Sequence, residues 1–368
     1  MNLLPVAGQG GVVSLVSALA IVFVFGLLIM IHELGHFLVA KWAGVKVLEF
    51  SFGFGPKLVG YRGQETHYAI RLFPLGGFVR LHGIDAETDE SGKEIIAPPD
   101  DPKSFMHKKV WQRVAIIAAG PIMNFVLAVV LFVLVFAFMG IPVQSQANVV
   151  GSLVEGKPAQ VAGIKPGDRI ISVQGVPTPD WNLLTNAIHS RPGQSIHLVV
   201  ERGGEQQSFT INTEKDAQTG YGMIGIVPDL VYQHASILQS ASFGLARTAD
   251  FTKYIVVTLV QMITRQIPAD VGGPVMIAKA IGEGAQQGLA NLLGLTGVIS
   301  IQLGLLNLFP IPALDGSRIV FLLVEGVRGK PLKPERENLI HLVGFVLLLL
   351  FAVLITYHDI VRLIGKAG

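Results

Sequence analysis

Residues 12–31, VVSLVSALAIVFVFGLLIMI, run without a break into His32-Glu33-Leu34-Gly35-His36. An uncharged stretch of about 20 residues is long enough to cross a bilayer as a helix. Continued through one more turn, that helix carries positions i and i+4 on one face. The imidazoles of His32 and His36 then reach a single metal ion, with Glu33 beside them as a base. Ionisable groups at the end of an apolar span cost about 2.5–3.5 kcal/mol each on insertion scales. A metal site accounts for three of them together better than the alternative, a polar cluster that merely ends a helix at the interface.

The rest of the chain has the same character. It is 51% hydrophobic and 15% charged, with a mean hydropathy of +0.55, whereas soluble domains carry about 25% charged residues. Uncharged stretches at 114–140, 289–314 and 339–357 supply three more candidate spans, and the run 254–264 is too short to be a fifth. A net charge of +2 without a basic face argues against nucleic-acid binding. There is no cysteine, so any metal is held by His, Asp or Glu. No Lys or Arg precedes Lys41, so the basic region of a signal peptide is missing. Eleven Lys or Arg lie between the first two spans and five between the last two. The positive-inside rule makes both loops cytoplasmic and both termini extracytoplasmic.

Two histidines need a third ligand. Asp315, in Asn307-Leu308-Phe309-Pro310-Ile311-Pro312-Ala313-Leu314-Asp315-Gly316, is the ionisable residue at the inner end of the third span. Pro310 and Pro312 break the helix there and free backbone groups that need a polar cavity. A helix-end carboxylate is the plainer alternative. Two histidines, one carboxylate and a water form a catalytic zinc arrangement, and the same donors also suit non-haem iron.

Outside the spans, residues 45–81 alternate apolar and polar positions with many glycines and aromatics. This predicts a hairpin at or partly within the membrane face. The acidic stretch 85–101, with Pro98 and Pro99, reads as a solvated loop. Residues 143–228 have ordinary polarity and predict an α+β domain. It has a strand at 147–154, a helix over 180–190 capped by Asp180, and a hairpin of 195–202 with 206–212 around Gly203-Gly204. Residues 236–266 predict an amphipathic helix, lying on the membrane surface or packed as a linker. Asn124, alone in the second span, reads as interhelical glue or as a group with a direct role, and His341 as an interfacial or packed residue.

Taken together, HELGH, the NLFPIPALDG stretch, GPIMNF at 120–125 and Pro74-Leu75-Gly76-Gly77-Phe78 resemble the site-2 protease family (peptidase M50), in its bacterial RseP-type branch. The similarity spans nearly the whole chain in family order. It implies a membrane protein, mainly α with four transmembrane helices, a membrane-associated β-hairpin or sheet and an inserted α+β PDZ-like domain. The implied divisions are 1–42 (first helix with HExxH), 43–113 (cytoplasmic-side region with the re-entrant hairpin), 114–140 (second helix) and 143–228 (extracytoplasmic PDZ-like domain). They continue with 229–288 (interfacial helical region), 289–316 (third helix with LDG), 317–338 (cytoplasmic loop), 339–357 (fourth helix) and 358–368 (extracytoplasmic tail).

The resemblance implies a zinc metalloprotease of the bacterial inner membrane that cuts single-span membrane proteins, of the anti-sigma factor or remnant signal peptide type. His32, His36 and Asp315 match its Zn2+ ligands and Glu33 its catalytic glutamate. Asn307 matches a residue holding the substrate or the oxyanion, and the hairpin matches a sheet that pairs with the substrate strand. The run 159–175 implies a groove that takes a peptide or chain end, or a domain that only blocks access. One PDZ-like domain is found where well-known members have two. The rival readings are a metal-binding transporter and a PDZ scaffold that has lost catalysis.

Overall fold

The computed structural model describes residues 14–84, 87–88, 94–95, 101–216, 219–268, 272–330 and 334–365, so most of the acidic stretch 85–101 lies outside the described residues. The chain divides into two compact units, Met139–Ser236 and the remainder.

Helix α1 (Leu15–Trp42) starts at Ser14, whose hydroxyl accepts the Ser17 N–H at 3.1 Å, satisfying a donor with no partner inside the helix. It stops ahead of Gly44, which takes φ +70°. Strands β1 (Val47–Arg62) and β2 (His67–Leu81) follow, but they make more than a hairpin. Phe50, Ser51 and Phe52 pair with Val79, Phe78 and Gly77 on one side and with Tyr68, Ala69 and Ile70 on the other. Lys57–Arg62 pairs in turn with the same stretch of β2. Four segments thus lie side by side in the order 57–62, 67–71, 49–52, 77–81. The fold-back needs Gly53 (φ +88°), where a Cβ would sit 2.7 Å from the Phe73 carbonyl oxygen. Alternation alone predicts strands; it does not reveal that one strand serves two partners.

This sheet rises along α1. Gly26 faces the Pro74 carbonyl oxygen, 3.0 Å from where a Cβ would be. At 1.5 Å per residue, that is roughly 9 Å further into the span than His32. After the two-residue strands β3 (Glu87–Thr88) and β4 (Glu94–Ile95) comes α2 (Val110–Met139), which contains Pro121.

In the second unit, β5 (Ile141–Gln144), β6 (Val150–Leu153) and α3 (Pro158–Val161) precede β7 (Arg169–Val173) and β8 (Val176–Pro177). Helix α4 (Trp181–His189) is capped by Asp180, which accepts the Leu183 N–H at 2.8 Å, as its position in the sequence predicts. Strands β9 (Ser195–Arg202) and β10 (Glu205–Asn212) close over Gly203 and Gly204, both at positive φ, as a tight hairpin turn requires. The four-stranded sheet runs β10-β9-β7-β8. Its apolar face meets α4 around Ile170, Leu184, Ile196 and Leu198.

Short strands β11 (Glu214–Lys215), β12 (Gly222–Met223), β13 (Ile226–Pro228) and β14 (Leu230–Gln233) complete this unit, with β13 on β6 and β14 on β5. The chain then returns to the first unit through α5 (Ile237–Ile263), α6 (Pro274–Gln286), α7 (Leu289–Leu308), α8 (Asp315–Arg328) and α9 (Pro334–Gly365). Helix α5 is packed rather than merely lying on a surface. It buries Ser240, Gly244 and Thr248, small residues that allow close approach to Val133 of α2.

The third span ends at Leu308, short of the expected 316. The stretch 317–338, expected as a loop, begins as α8, because apolar residues at helical spacing such as Ile319 and Leu322 pack on the core formed by α1, α2 and the sheet. Among the described residues, four helices are long and apolar enough to cross a membrane: Leu15–Trp42, Val110–Met139, Leu289–Leu308 and Leu339–Ile364.

Asp168 anchors the second unit. It accepts Arg202 Nε and Nη2, both at 2.7 Å, and the Lys165 N–H at 2.8 Å. Burial pushes its carboxyl up, but these bonds outweigh burial and hold it below its ordinary value of 3.8. A depressed folded pKa gives stabilisation that is complete above the unfolded value and is lost as pH falls through the folded one. Asp168→Asn should therefore cost about 1.5–3 kcal/mol above pH 5, the worth of a hydrogen bond to a charged group. Hydrogen exchange across 139–236 in the full chain should show this loss, and show it shrinking below pH 4.

Candidate metal centre

The site is assembled from three places far apart in the chain. Helix α1 presents His32 and His36 one turn apart, both buried. Asp315 opens α8, after a loop in which Pro310 and Pro312 stop α7. Its carboxylate is at the helix N-terminus, the end that favours negative charge. Gly316 lets the turn close, since a Cβ there would lie 2.2 Å from the Phe309 carbonyl oxygen.

The three donor atoms form a small triangle. His32 Nε2 lies 3.2 Å from His36 Nε2 and 3.0 Å from Asp315 Oδ2, and His36 Nε2 lies 3.4 Å from the same oxygen. Metal–ligand bonds of about 2.0–2.2 Å at tetrahedral angles put donors about 3.3–3.6 Å apart. The observed spacing is close to that. Asp315 Oδ2 is also a buried acceptor with no donor aligned on it. Buried polar atoms are almost always satisfied, and a cation between the three donors would satisfy this one. These residues therefore fit a zinc ion. They form the one such group among the described residues.

The far sides of both imidazoles are held as well. His36 Nδ1 lies 2.9 Å from the Ile116 carbonyl oxygen, to which a ring ligating through Nε2 donates its Nδ1–H. His32 Nδ1 lies 3.2 Å from the Asn124 side-chain amide, whose Oδ1 is otherwise a buried acceptor without a donor. A ligating His32 carries its proton on Nδ1. The Asn124 amide therefore turns its oxygen towards that proton, which also satisfies the oxygen, and amide oxygen and nitrogen are interchangeable in such an assignment.

Asn124 is thus tied directly to a site residue, a role that its isolation in an apolar span only hinted at. The bond that joins α2 to α7 here comes from Ser300, whose Oγ donates to the Asn124 backbone oxygen at 2.7 Å and so does not use the Asn124 side chain. Gly120 entered the sequence reading only as the first residue of GPIMNF, with no role given to it. A Cβ there would lie 2.3 Å from His36 Nε2 and 2.8 Å from His32 Nε2, so the α2 backbone forms one wall of the centre.

A cavity of about 340 Å³ opens on the donors, lined by His32, Glu33, His36, Asn307, Asp315 and Arg318 among others. Phe78, Val79 and Leu81 also line it. They belong to segment 77–81, an outer segment of the sheet that pairs with β1. Glu33 shares this lining with Val79, and a Cβ on Gly77 would lie 3.7 Å from Glu33 Cγ. Asn307 lines the cavity without touching the histidines, its amide nitrogen donating to the Leu303 carbonyl at 3.0 Å. A buried bidentate pair, Arg113–Glu325, ties α8 to α2 at 2.5 and 3.1 Å.

The model of peptidase family M50 matches residues 20–351. Zinc metalloprotease RasP of Geobacillus kaustophilus is 34% identical, with 94% of this chain and 98% of that protein covered. Regulator of sigma-W protease RasP of Bacillus subtilis is 31% identical, with 94% and 99% covered. The PDZ domain of the SdrC-like protein from Listeria innocua is 25% identical over 24% of this chain and 99% of that domain, with a TM-score of 0.21.

Gly120→Ala should evict the metal while leaving the helices intact. Zinc per chain in purified protein is expected to fall to near zero, with the circular dichroism of the wild type retained. Asn124→Ala should weaken metal binding by about 10–100-fold, as is usual when a partner of a ligating histidine is lost. Chelator competition measures that change.

Proposed function

Because the chain belongs to peptidase family M50, we propose that His32, His36 and Asp315 hold its zinc ion and that Glu33 handles the proton of peptide-bond hydrolysis. The chain is an intramembrane zinc metalloprotease of the site-2 type. The observation that carries the residue assignment is the triangle of donors, 3.0–3.4 Å on a side, around a carboxylate oxygen with no aligned donor.

A zinc ion bound there supplies Lewis acidity and brings the pKa of a water towards 7. Glu33, beside the donors in the same cavity, accepts the proton of the attacking water as its oxygen adds to the scissile carbonyl carbon. The same carboxyl then gives that proton to the departing amine as the C–N bond breaks. Asn307 stands in the cavity wall, where its amide can hold the carbonyl oxygen as negative charge develops.

An intact transmembrane helix offers no free amide to this site, because its backbone groups bond one another. The substrate has to unwind, and segment 77–81, an outer segment of the sheet that lines the cavity, would offer replacement hydrogen bonds by strand addition. Two features support this reading. The sheet reaches the level of Gly26, and it exposes Phe54, Leu58, Val59, Ile70, Leu72 and Phe73, which suits a lipid or interfacial setting.

The substrates would be single-span proteins already shortened outside, such as anti-sigma factors or remnant signal peptides. The regulatory name of the Bacillus subtilis relative is consistent with the first. The protein would sit in the bacterial inner membrane with both termini extracytoplasmic and its site near the cytoplasmic face. The unit 139–236 would be a PDZ-like domain that filters substrates or binds trimmed ends.

Cleavage of a single-span substrate by purified protein tests the assignment, with bound zinc measured in the same samples. Glu33→Gln should keep zinc and lose about 10²–10⁴-fold in rate, the usual worth of a general base. Asp315→Asn should lose both zinc and cleavage. Equal zinc in all three proteins with no cleavage by any would overturn the site.

A further inference from the structure

The loop that delivers Asp315 is secured from a helix that supplies nothing else to the centre. Within 309–314, the Phe309 N–H bonds the Leu306 carbonyl, the Ile311 N–H bonds Phe309, the Leu314 N–H bonds Ile311, and Pro310 and Pro312 have no N–H. The remaining donor, the Ala313 N–H, leaves the loop for His341 Nδ1 on α9 at 3.1 Å.

Ala313 is also one of three non-glycine residues at positive φ among those described, at +75°. A residue with a Cβ keeps this left-handed conformation only where its surroundings enforce it. One turn along α9, Gly344 lies against the same loop, where a Cβ would sit 2.2 Å from Pro312 Cβ. The His341 ring packs edge-on against Phe321 of α8, centroids 5.7 Å apart. With Nδ1 accepting, the ring proton is on Nε2. That atom is buried without a hydrogen-bond partner, and Glu337 is 3.9 Å away. The one hydrogen bond the ring makes is thus spent on the loop.

We propose that His341 is a positioning residue that fixes the left-handed turn at Ala313 and, through it, aims the Asp315 carboxylate at the two histidines. It touches neither metal nor substrate. The inference rests on Asp315 being a zinc ligand, and the test separates the two.

Zinc affinity is measured by chelator competition on the full chain in detergent for wild type, Asp315→Asn, His341→Asn and His341→Phe. Asparagine places an amide oxygen near the position of Nδ1 and so keeps the acceptor, whereas phenylalanine keeps the ring and removes it. His341→Phe should bind zinc about 10–100-fold more weakly, and His341→Asn within about threefold of wild type, the range expected of a group that orients a ligand. Hydrogen exchange should quicken at 309–314 in His341→Phe alone, with α1 and α2 unchanged.

Wild-type affinity in His341→Phe overturns the proposal. So does a His341→Asn protein as weak as His341→Phe, or exchange that quickens throughout α1 and α2 in both, because either result assigns the ring to packing. If Asp315→Asn keeps wild-type affinity, the ligand assignment itself fails, whatever the His341 variants do, and the proposal falls with it.

Discussion

Two imidazoles and a carboxylate are held with their donor atoms within 3.4 Å of one another inside an apolar bundle. Without a shared cation this convergence leaves a buried acceptor unsatisfied, and polar groups at such depth are expensive. The neighbouring elements are shaped to maintain it. Helix α2 gives up side-chain volume at Gly120, lends the Ile116 carbonyl to one ring and places Asn124 on the other. Helix α7 stops early so that a short loop can bring in the carboxylate, and α8 is tied to α2 through Arg113 and Glu325. Small residues recur where backbones must meet: a Cβ on Gly35 would come within 2.2 Å of the Ala119 carbonyl oxygen.

The sheet answers a different constraint. Hydrolysis needs an extended backbone, and a membrane segment arrives as a helix. On the proposed reading a sheet edge beside the centre supplies partners for an extended chain, and Gly77, where a Cβ would lie 3.7 Å from Glu33 Cγ, places that segment next to the proposed base. In the sheet order 57–62 and 77–81 are the two outer segments, and it is residues of 77–81 that line the cavity.

What was legible in the sequence was what chemistry makes rare. HELGH at the end of an apolar span and a lone carboxylate after Pro-x-Pro are costly in lipid, and the three residues they name lie together. The four spans were readable from charge-free length, and the full fold class followed from the family resemblance. The helix Asp315–Arg328 was missed because its arginines suggested a solvated loop, although Ile319 and Leu322 were spaced to pack. Asn124 and His341 each stood alone in an apolar run, and their partners are 92 and 28 residues away. Gly120 carries no chemistry in a sequence, because its contribution is the space it leaves. The two sides of β1 were hidden for a similar reason, since alternation shows which face a residue takes and not how many neighbours its strand has.

The proposed ligands are split between the first span and the helix that follows the third, with the whole of 139–236 between them in the chain. A ribosome making this chain therefore places the histidine pair in the bilayer long before the aspartate exists. Until α8 is synthesised, the pair has two donors and no third, and the cavity lacks a wall. On the proposed assignment, proteolytic competence arrives only towards the end of translation, when α8 supplies the third donor.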